Sequence, residues 1–278
     1  MDPSRKALHT RHVDRMKDLN DLEIGFMSGI VDAASSITCS QSGKGKKQHL
    51  HWMIRVHSSS ANLITALRIM TGIGEFLEVQ ERKTVYWTVG IMDGYFLLLK
   101  LRNALQLKHH HAETVFKYRE GTLLGKVDQK AFIASVQKHN QEERPVLKNT
   151  DDTTFVGYFL GLLEAKATAV LLSSGPAIVV GPFPKSIRDQ IITRIGGAHY
   201  DDDVIWHGKE EFNSIYKLTK DKLFSFKEPM ETLKLFVDGK LNPFDYKQKL
   251  EIVRKYEKID VHKMLPNIDE LAKRFVGN

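Results

Sequence analysis

The chain has 278 residues, with 41 Lys and Arg against 34 Asp and Glu and a formal net charge of +7. Hydrophobic residues at 42% and charged residues at 27% exclude a mainly disordered chain, and one cysteine, Cys39, excludes a disulfide framework or a cysteine-rich zinc fold. The longest apolar runs, Phe96–Leu101 and Ala167–Leu172, fall far short of the roughly 18–20 residues that span a bilayer, so no membrane partner is expected.

In chain order, residues 1–20 read as a basic N-terminal arm carrying Arg5, Lys6, Arg11, Arg15 and Lys17. Asp2, Asp14 and Asp18 break the acid-poor pattern of a transit peptide. Leu22–Ala34 has helical apolar spacing, and Ser36–Ser40 reads as a strand followed by a Gly/Lys loop, Gln41–Lys47. His49–Ser58 alternates, with Leu50, Trp52, Ile54 and Val56 on one face and His49, His51, Arg55 and His57 on the other. A helix over Ser60–Met70 follows, capped by serine at its start and stopped by Gly72 and Gly74. Phe76–Arg82 and Val85–Gly90 form a second hairpin across Lys83–Thr84, and helices are expected at Tyr95–Gln106 and His109–Tyr118.

Residues 121–152 read as a polar connector. A weaker copy of the pattern follows, with a helix at Phe155–Thr168, short strands at Ala169–Ser173 and Ala177–Val180, and a helix at Ile187–Arg194 ending in Gly196-Gly197. Residues 205–278 read as a helical C-terminal region broken at Pro229, Pro243 and Pro266. The organisation is therefore an arm (1–20), a first repeat (21–120), the connector (121–152), a second, reduced repeat (153–204) and the helical remainder (205–278).

The helices that open the two repeats superpose as Met27-Ser28-Gly29-Ile30-Val31-Asp32-Ala33-Ala34 and Phe159-Leu160-Gly161-Leu162-Leu163-Glu164-Ala165-Lys166. In each, a Gly and an Ala stand one turn apart on one helix face (Gly29 and Ala33, Gly161 and Ala165), which lets two backbones approach closely. This repeated helix, each time followed by hairpins separated by a helix, resembles the LAGLIDADG homing endonucleases and maturases. The resemblance implies an α+β fold of two αββαββα repeats, with the motif helices side by side at a pseudo-twofold axis within a monomer. Each repeat would add a four-stranded sheet to a nucleic-acid-binding saddle. Gly72-Ile73-Gly74-Glu75-Phe76 and Trp87-Thr88-Val89 resemble the family's helix exit and last strand.

The family's cleavage chemistry uses an acid at the eighth motif position of both repeats, because Mg²⁺ takes carboxylate oxygens and water. Here those positions hold Ala34 and Lys166. Asp32 and Glu164 remain at the sixth position, where hydrogen bonding to backbone at a helix end is the expected role. The helix-packing half of the motif is kept and the chemical half is changed. The expectation is a pseudo-endonuclease with no catalytic residue, no metal and no cofactor.

The charge is uneven. No acid lies between Asp32 and Glu75, and residues 24–120 hold 12 basic and 7 acidic side chains, so +5 of the +7. The expected phosphate-binding surface is His49, His51, Arg55 and His57 with Lys44, Lys46 and Lys47 at the hairpin tip, flanked by Arg82, Lys83, Tyr86 and Thr88. The second repeat lacks ten residues in its first hairpin, and Thr168–Val180 is apolar on both faces, as in a buried strand. It is expected to pack under helices or against a neighbouring protein. One basic hairpin beside a broken symmetry favours structured RNA, read by shape and backbone, over cleavage of a symmetric duplex. The resemblance places such inactive proteins in organelles, as components of a mitochondrial ribosome on rRNA or as intron-splicing maturases. The rival expectation is an active DNA endonuclease with displaced metal ligands. Lys108-His109-His110-His111 is read as a basic helix start and Asp201-Asp202-Asp203 as a solvated turn, because adjacent side chains diverge.

Overall fold

The computed structural model describes residues 16–43, 49–79, 84–126, 128–142, 144–172 and 175–242. The chain divides into two compact units, 1–161 and 162–278. The division falls inside a helix, and the element order on its two sides is nearly the same.

The first unit opens with α1 (Asp21–Ala34). Asn20 caps it and Glu23 reaches back to the Asn20 N–H, a reciprocal capping box. β1 (Ser35–Ser42) follows without a loop, then β2 (His49–Ser58) and α2 (Ala61–Thr71). Ser60 caps α2 and Gly72 ends it in the left-handed conformation, as the sequence implies. β3 (Glu75–Val79), β4 (Thr84–Val89) and α3 (Ile91–Leu101) complete the repeat. α4 (His109–Leu123) leads to α5 (Gln129–Gln141), and α6 (Asp152–Lys166) crosses into the second unit. The connector thus holds a helix, capped by Asp128 on the Ala131 N–H. Sequence reasoning passed over it because its apolar stripe is only Phe132 and Val136.

The first sheet is antiparallel with order β1-β2-β4-β3. Trp52, Ile54 and Val56 on β2 and Val85, Trp87 and Val89 on β4 are buried on the helix-covered face. Trp87 donates to the Ile73 carbonyl at 2.9 Å. Gly74, at φ +82°, is required beside it, because a Cβ there would stand 2.2 Å from the Trp87 indole nitrogen.

The second unit continues with β5 (Ala167–Leu172), β6 (Gly175–Val180), α7 (Lys185–Ile195), β7 (Ala198–Tyr200), β8 (Asp203–His207), α8 (Lys209–Thr219) and α9 (Lys227–Val237). Its sheet has the order β5-β6-β8-β7, the topology of the first. The reduction is one of length, not of strand number. The first hairpin spans residues 35–58, or 24 residues, and its counterpart 167–180, or 14, a difference of ten. The repeat pattern also runs past residue 204, where the sequence reading ended it. β8 ends at His207, and α8 and α9 stand in the order of α3 and α4. The short β7–β8 hairpin turns at Asp201-Asp202; Asp203, expected in the same turn, instead opens β8 opposite Tyr200. Gly197, at φ +93°, lies over Trp206 as Gly74 lies over Trp87.

Candidate nucleic-acid interface

The close helix approach is visible within the first unit. A Cβ on Gly161 would stand 2.2 Å from the Phe26 carbonyl oxygen and 3.0 Å from the Gly29 Cα. One on Gly157 would stand 2.1 Å from the Leu22 oxygen, and one on Gly25 1.9 Å from the Thr154 oxygen. α1 and the first part of α6 therefore meet backbone to backbone, through Gly25 and Gly29 on one side and Gly157 and Gly161 on the other. The signal was present as two small-xxx-small pairs, Gly25-Phe26-Met27-Ser28-Gly29 and Gly157-Tyr158-Phe159-Leu160-Gly161. Ala33 and Ala165, one turn on, are half-buried.

The sixth-position acids have parallel roles in the two repeats. Asp32 is 2% exposed. Its carboxylate accepts the backbone N–H groups of Gln106, Leu107 and Lys108 at 2.7, 3.0 and 2.8 Å and the Tyr158 hydroxyl at 3.0 Å. These three N–H groups immediately precede α4, so Asp32 caps that helix from another element. Glu164 does the same in the second unit. It accepts from the N–H groups of Phe224, Ser225 and Phe226 and from the Ser225 hydroxyl, just ahead of α9. Burial pushes both carboxyl groups above their ordinary range, against the hydrogen bonds that pull them down. Both acids are committed to backbone.

Ala34 and Lys166 are the last residues of α1 and α6. Ala34 is 6% exposed and offers no ligand; Lys166 is exposed and cationic. Taken each in its own unit, neither position offers a ligand for a hard divalent cation, and the carboxylate two residues earlier in each helix is occupied by N–H groups. Among the described residues, no group of three or more His, Cys, Asp or Glu is arranged to hold a metal ion.

The open face of the first sheet is set by register. Ser36, Thr38, Ser40 and Ser42 on β1 pair with Arg55, Met53, His51 and His49 on β2. Arg55 and His57 pair in turn with Thr88 and Tyr86 on β4, and these with Glu75 and Leu77 on β3. The expected alternation on β2 holds, with His49, His51 and His57 exposed and Arg55 half-buried. His51 is 3.1 Å from the Ser42 hydroxyl. The Arg55 guanidinium lies over the Tyr86 ring at 5.6 Å, a cation–π contact that holds the fork on the face. Lys44, Lys46, Lys47, Arg82 and Lys83 lie outside the described residues. Register keeps Thr88 on this face beside Arg55 and adds Ser36 and Glu75, which the sequence could not place without pairing the strands.

In the second sheet the equivalent face is apolar. Counting from the motif helix, Thr38 corresponds to Val170 and Ser40 to Leu172. Val170, Ala177, Val179 and Ile205 form a buried cluster with Leu172 packed on it. A strand apolar on both faces was expected here, and it is buried on both.

The histidines do not diverge as expected. His110 stacks on His139 of α5 at 5.6 Å, and His111 lies 5.3 Å from the same ring. His111 is hydrogen-bonded to Asn140, which donates to the Ile37 carbonyl on β1. The cluster ties the connector helix to the edge of the sheet.

No family model matches the sequence, and no curated relative does. Solved structures do. The chain is similar to the LAGLIDADG meganuclease I-AabMI bound to uncleaved DNA, with 9% identity, a TM-score of 0.59, and 86% of this chain and 98% of that one covered. It is similar to I-LtrWI bound to target DNA, with 13% identity, a TM-score of 0.59, and 92% and 98% covered. For I-GzeII in complex with its DNA target the values are 13%, 0.58, 87% and 100%. At these identities the fold is what is shared: the chain has a LAGLIDADG homing-endonuclease-like α+β fold.

Proposed function

We propose that this LAGLIDADG-type scaffold binds structured RNA without cutting nucleic acid, as a component of an organellar ribonucleoprotein such as a mitochondrial ribosome, or as an intron-splicing maturase. The observation that carries the reading is the split within the motif. The glycines that bring α1 and α6 together are retained, while the eighth positions hold Ala34 and Lys166. A displaced-ligand nuclease would have to draw on Asp32 and Glu164, and each already accepts three backbone N–H groups.

The open face of the first sheet supports nucleic-acid binding. It presents hydroxyls, imidazoles, Arg55 and Tyr86, the groups that meet phosphates, sugars and unpaired bases. The neighbouring folds whose structures hold DNA use a scaffold of this kind. The buried apolar face of the second sheet supports a one-sided contact in place of a symmetric duplex site.

Two measurements test the proposal. Purified protein with Mg²⁺ is expected to leave duplex DNA intact, and reproducible cutting of a defined duplex would reverse the reading. Material co-purifying from the native source is expected to contain one dominant RNA, ribosomal or intronic. Reversing the charge of Lys44, Lys46, Lys47 and Arg55 is expected to release it at moderate salt, whereas retention would assign the association to protein contacts alone.

A further inference from the structure

One row of side chains on the open face carries unused hydrogen-bonding capacity. Ser36, Arg55, Thr88 and Glu75 stand side by side across β1, β2, β4 and β3. Arg55 Nε and Thr88 Oγ1 are buried and have no hydrogen-bond partner among the described residues. Buried polar groups are nearly always satisfied, so two neighbouring orphans in one cross-strand pair point to an absent acceptor. Beside them a cleft of about 550 Å³ opens at the end of the sheet, lined by Met53, Arg68, Gly74, Glu75, Thr88 and Asp93. That volume lies within the ordinary range for small-ligand sites.

The order of chemistries across the row is specific. Arg55 and Thr88 can donate, whereas the Glu75 carboxylate only accepts. Adjacent strands are about 4.8 Å apart, so a donor pair and an acceptor stand one strand step from each other. The Watson–Crick edge of guanine runs from a carbonyl acceptor, O6, to two adjacent donors, the N1 imino and N2 amino groups. Those two donors match the two oxygens of one carboxylate. Adenine and cytosine offer the carboxylate one amino group, and uracil one imino group. Arg68, exposed on the rim, supplies charge for the accompanying phosphate.

We infer that this cleft receives a single unpaired guanine. The inference rests on the RNA reading above and narrows it, since sequence-specific RNA recognition targets unstacked bases in loops and bulges. The base enters between Thr88 and Glu75, both on the cleft wall; O6 accepts from the Thr88 hydroxyl, and Glu75 accepts from N1 and N2, while Arg55 stands beside Thr88 in the row, outside the lining.

The test uses the full chain and labelled RNA hairpins identical except for one loop base, with affinity read by fluorescence anisotropy. The guanine loop is expected to bind about tenfold more tightly than the adenine, cytosine or uracil loops. Inosine, which lacks the N2 amine, is expected to fall between. Glu75→Gln is expected to erase the preference, and Thr88→Val to reduce it by lowering affinity for the guanine loop more than for the other loops. Equal affinity for all loops would overturn the guanine site and leave the RNA reading standing. If no hairpin binds, the RNA reading fails and a guanosine monophosphate titration decides the cleft. Saturable binding lost in Glu75→Gln would retain it as a free-nucleotide site, and absence of binding would overturn it.

Discussion

Single residues in this protein do what their neighbours' backbones require. Gly157 has no room for a Cβ, which would stand 2.1 Å from the Leu22 oxygen. Gly157→Ala must push two backbones apart, so a loss of about 1–3 kcal/mol or more is expected, seen as a lower midpoint in chemical denaturation. Asp32 shows the same logic in hydrogen bonding. Its removal leaves three buried N–H groups and the Tyr158 hydroxyl without their acceptor. Asp32→Ala is expected to lose about 3 kcal/mol or more. Asp32→Asn, which keeps one oxygen, is expected to lose less. The sequence could place the acid in the motif, but it could not show that the acid's partners lie more than seventy residues away.

At the scale of elements, two equivalent strands have opposite surroundings. Thr38 on β1 is exposed, whereas its counterpart Val170 on β5 is 1% exposed. Thr38→Asp is expected to leave the melting temperature nearly unchanged. Val170→Asp buries an unpaired charge and is expected to unfold the second unit, which thermal unfolding by circular dichroism would resolve. Composition alone anticipated this difference, because β1 is rich in Ser and Thr and β5 in Ala, Val and Leu.

The α4–α5 pair was less legible. Its histidine cluster depends on His139 from a helix that the polar connector hides. Burial holds the His109 and His139 imidazoles below their ordinary value of 6.5, helped by Lys148 at the first and by His110, Lys138 and Arg144 at the second; Glu113 and Glu142 oppose it. A lowered value in the fold means that the unfolded chain takes up protons first. The contribution is therefore present above about pH 6.5 and is lost as the pH falls through the native values. The urea midpoint is expected to drop between pH 7.5 and 5.5. His139→Gln is expected to flatten that dependence.

For the whole molecule, the proposed RNA affinity is expected to fall steeply with salt, because phosphate contacts release counterions. Arg55→Met removes one such contact and its cation–π support. It is expected to weaken binding and reduce the salt slope by about one, measured by titration at several ionic strengths. The net charge of +7 is consistent with such a surface. Aspartates at the two eighth motif positions would lower it to +4, since Ala34→Asp adds one negative charge and Lys166→Asp replaces a positive with a negative. Part of the basicity therefore stands where the family's acids would be.

The sequence by itself determined the repeat, the α+β class, the alternating face of β2 and the missing acids, because helix and strand periods and a short motif are local properties of the chain. Tertiary structure decided the rest. It brought Gly25 and Gly157 into the helix contact and directed Asp32 and Glu164 to distant helix starts. It gathered His110, His111 and His139, and it set Arg55, Thr88 and Glu75 in one row. Each of these depends on strand register or on contacts between residues far apart in the chain, and no local pattern encodes either.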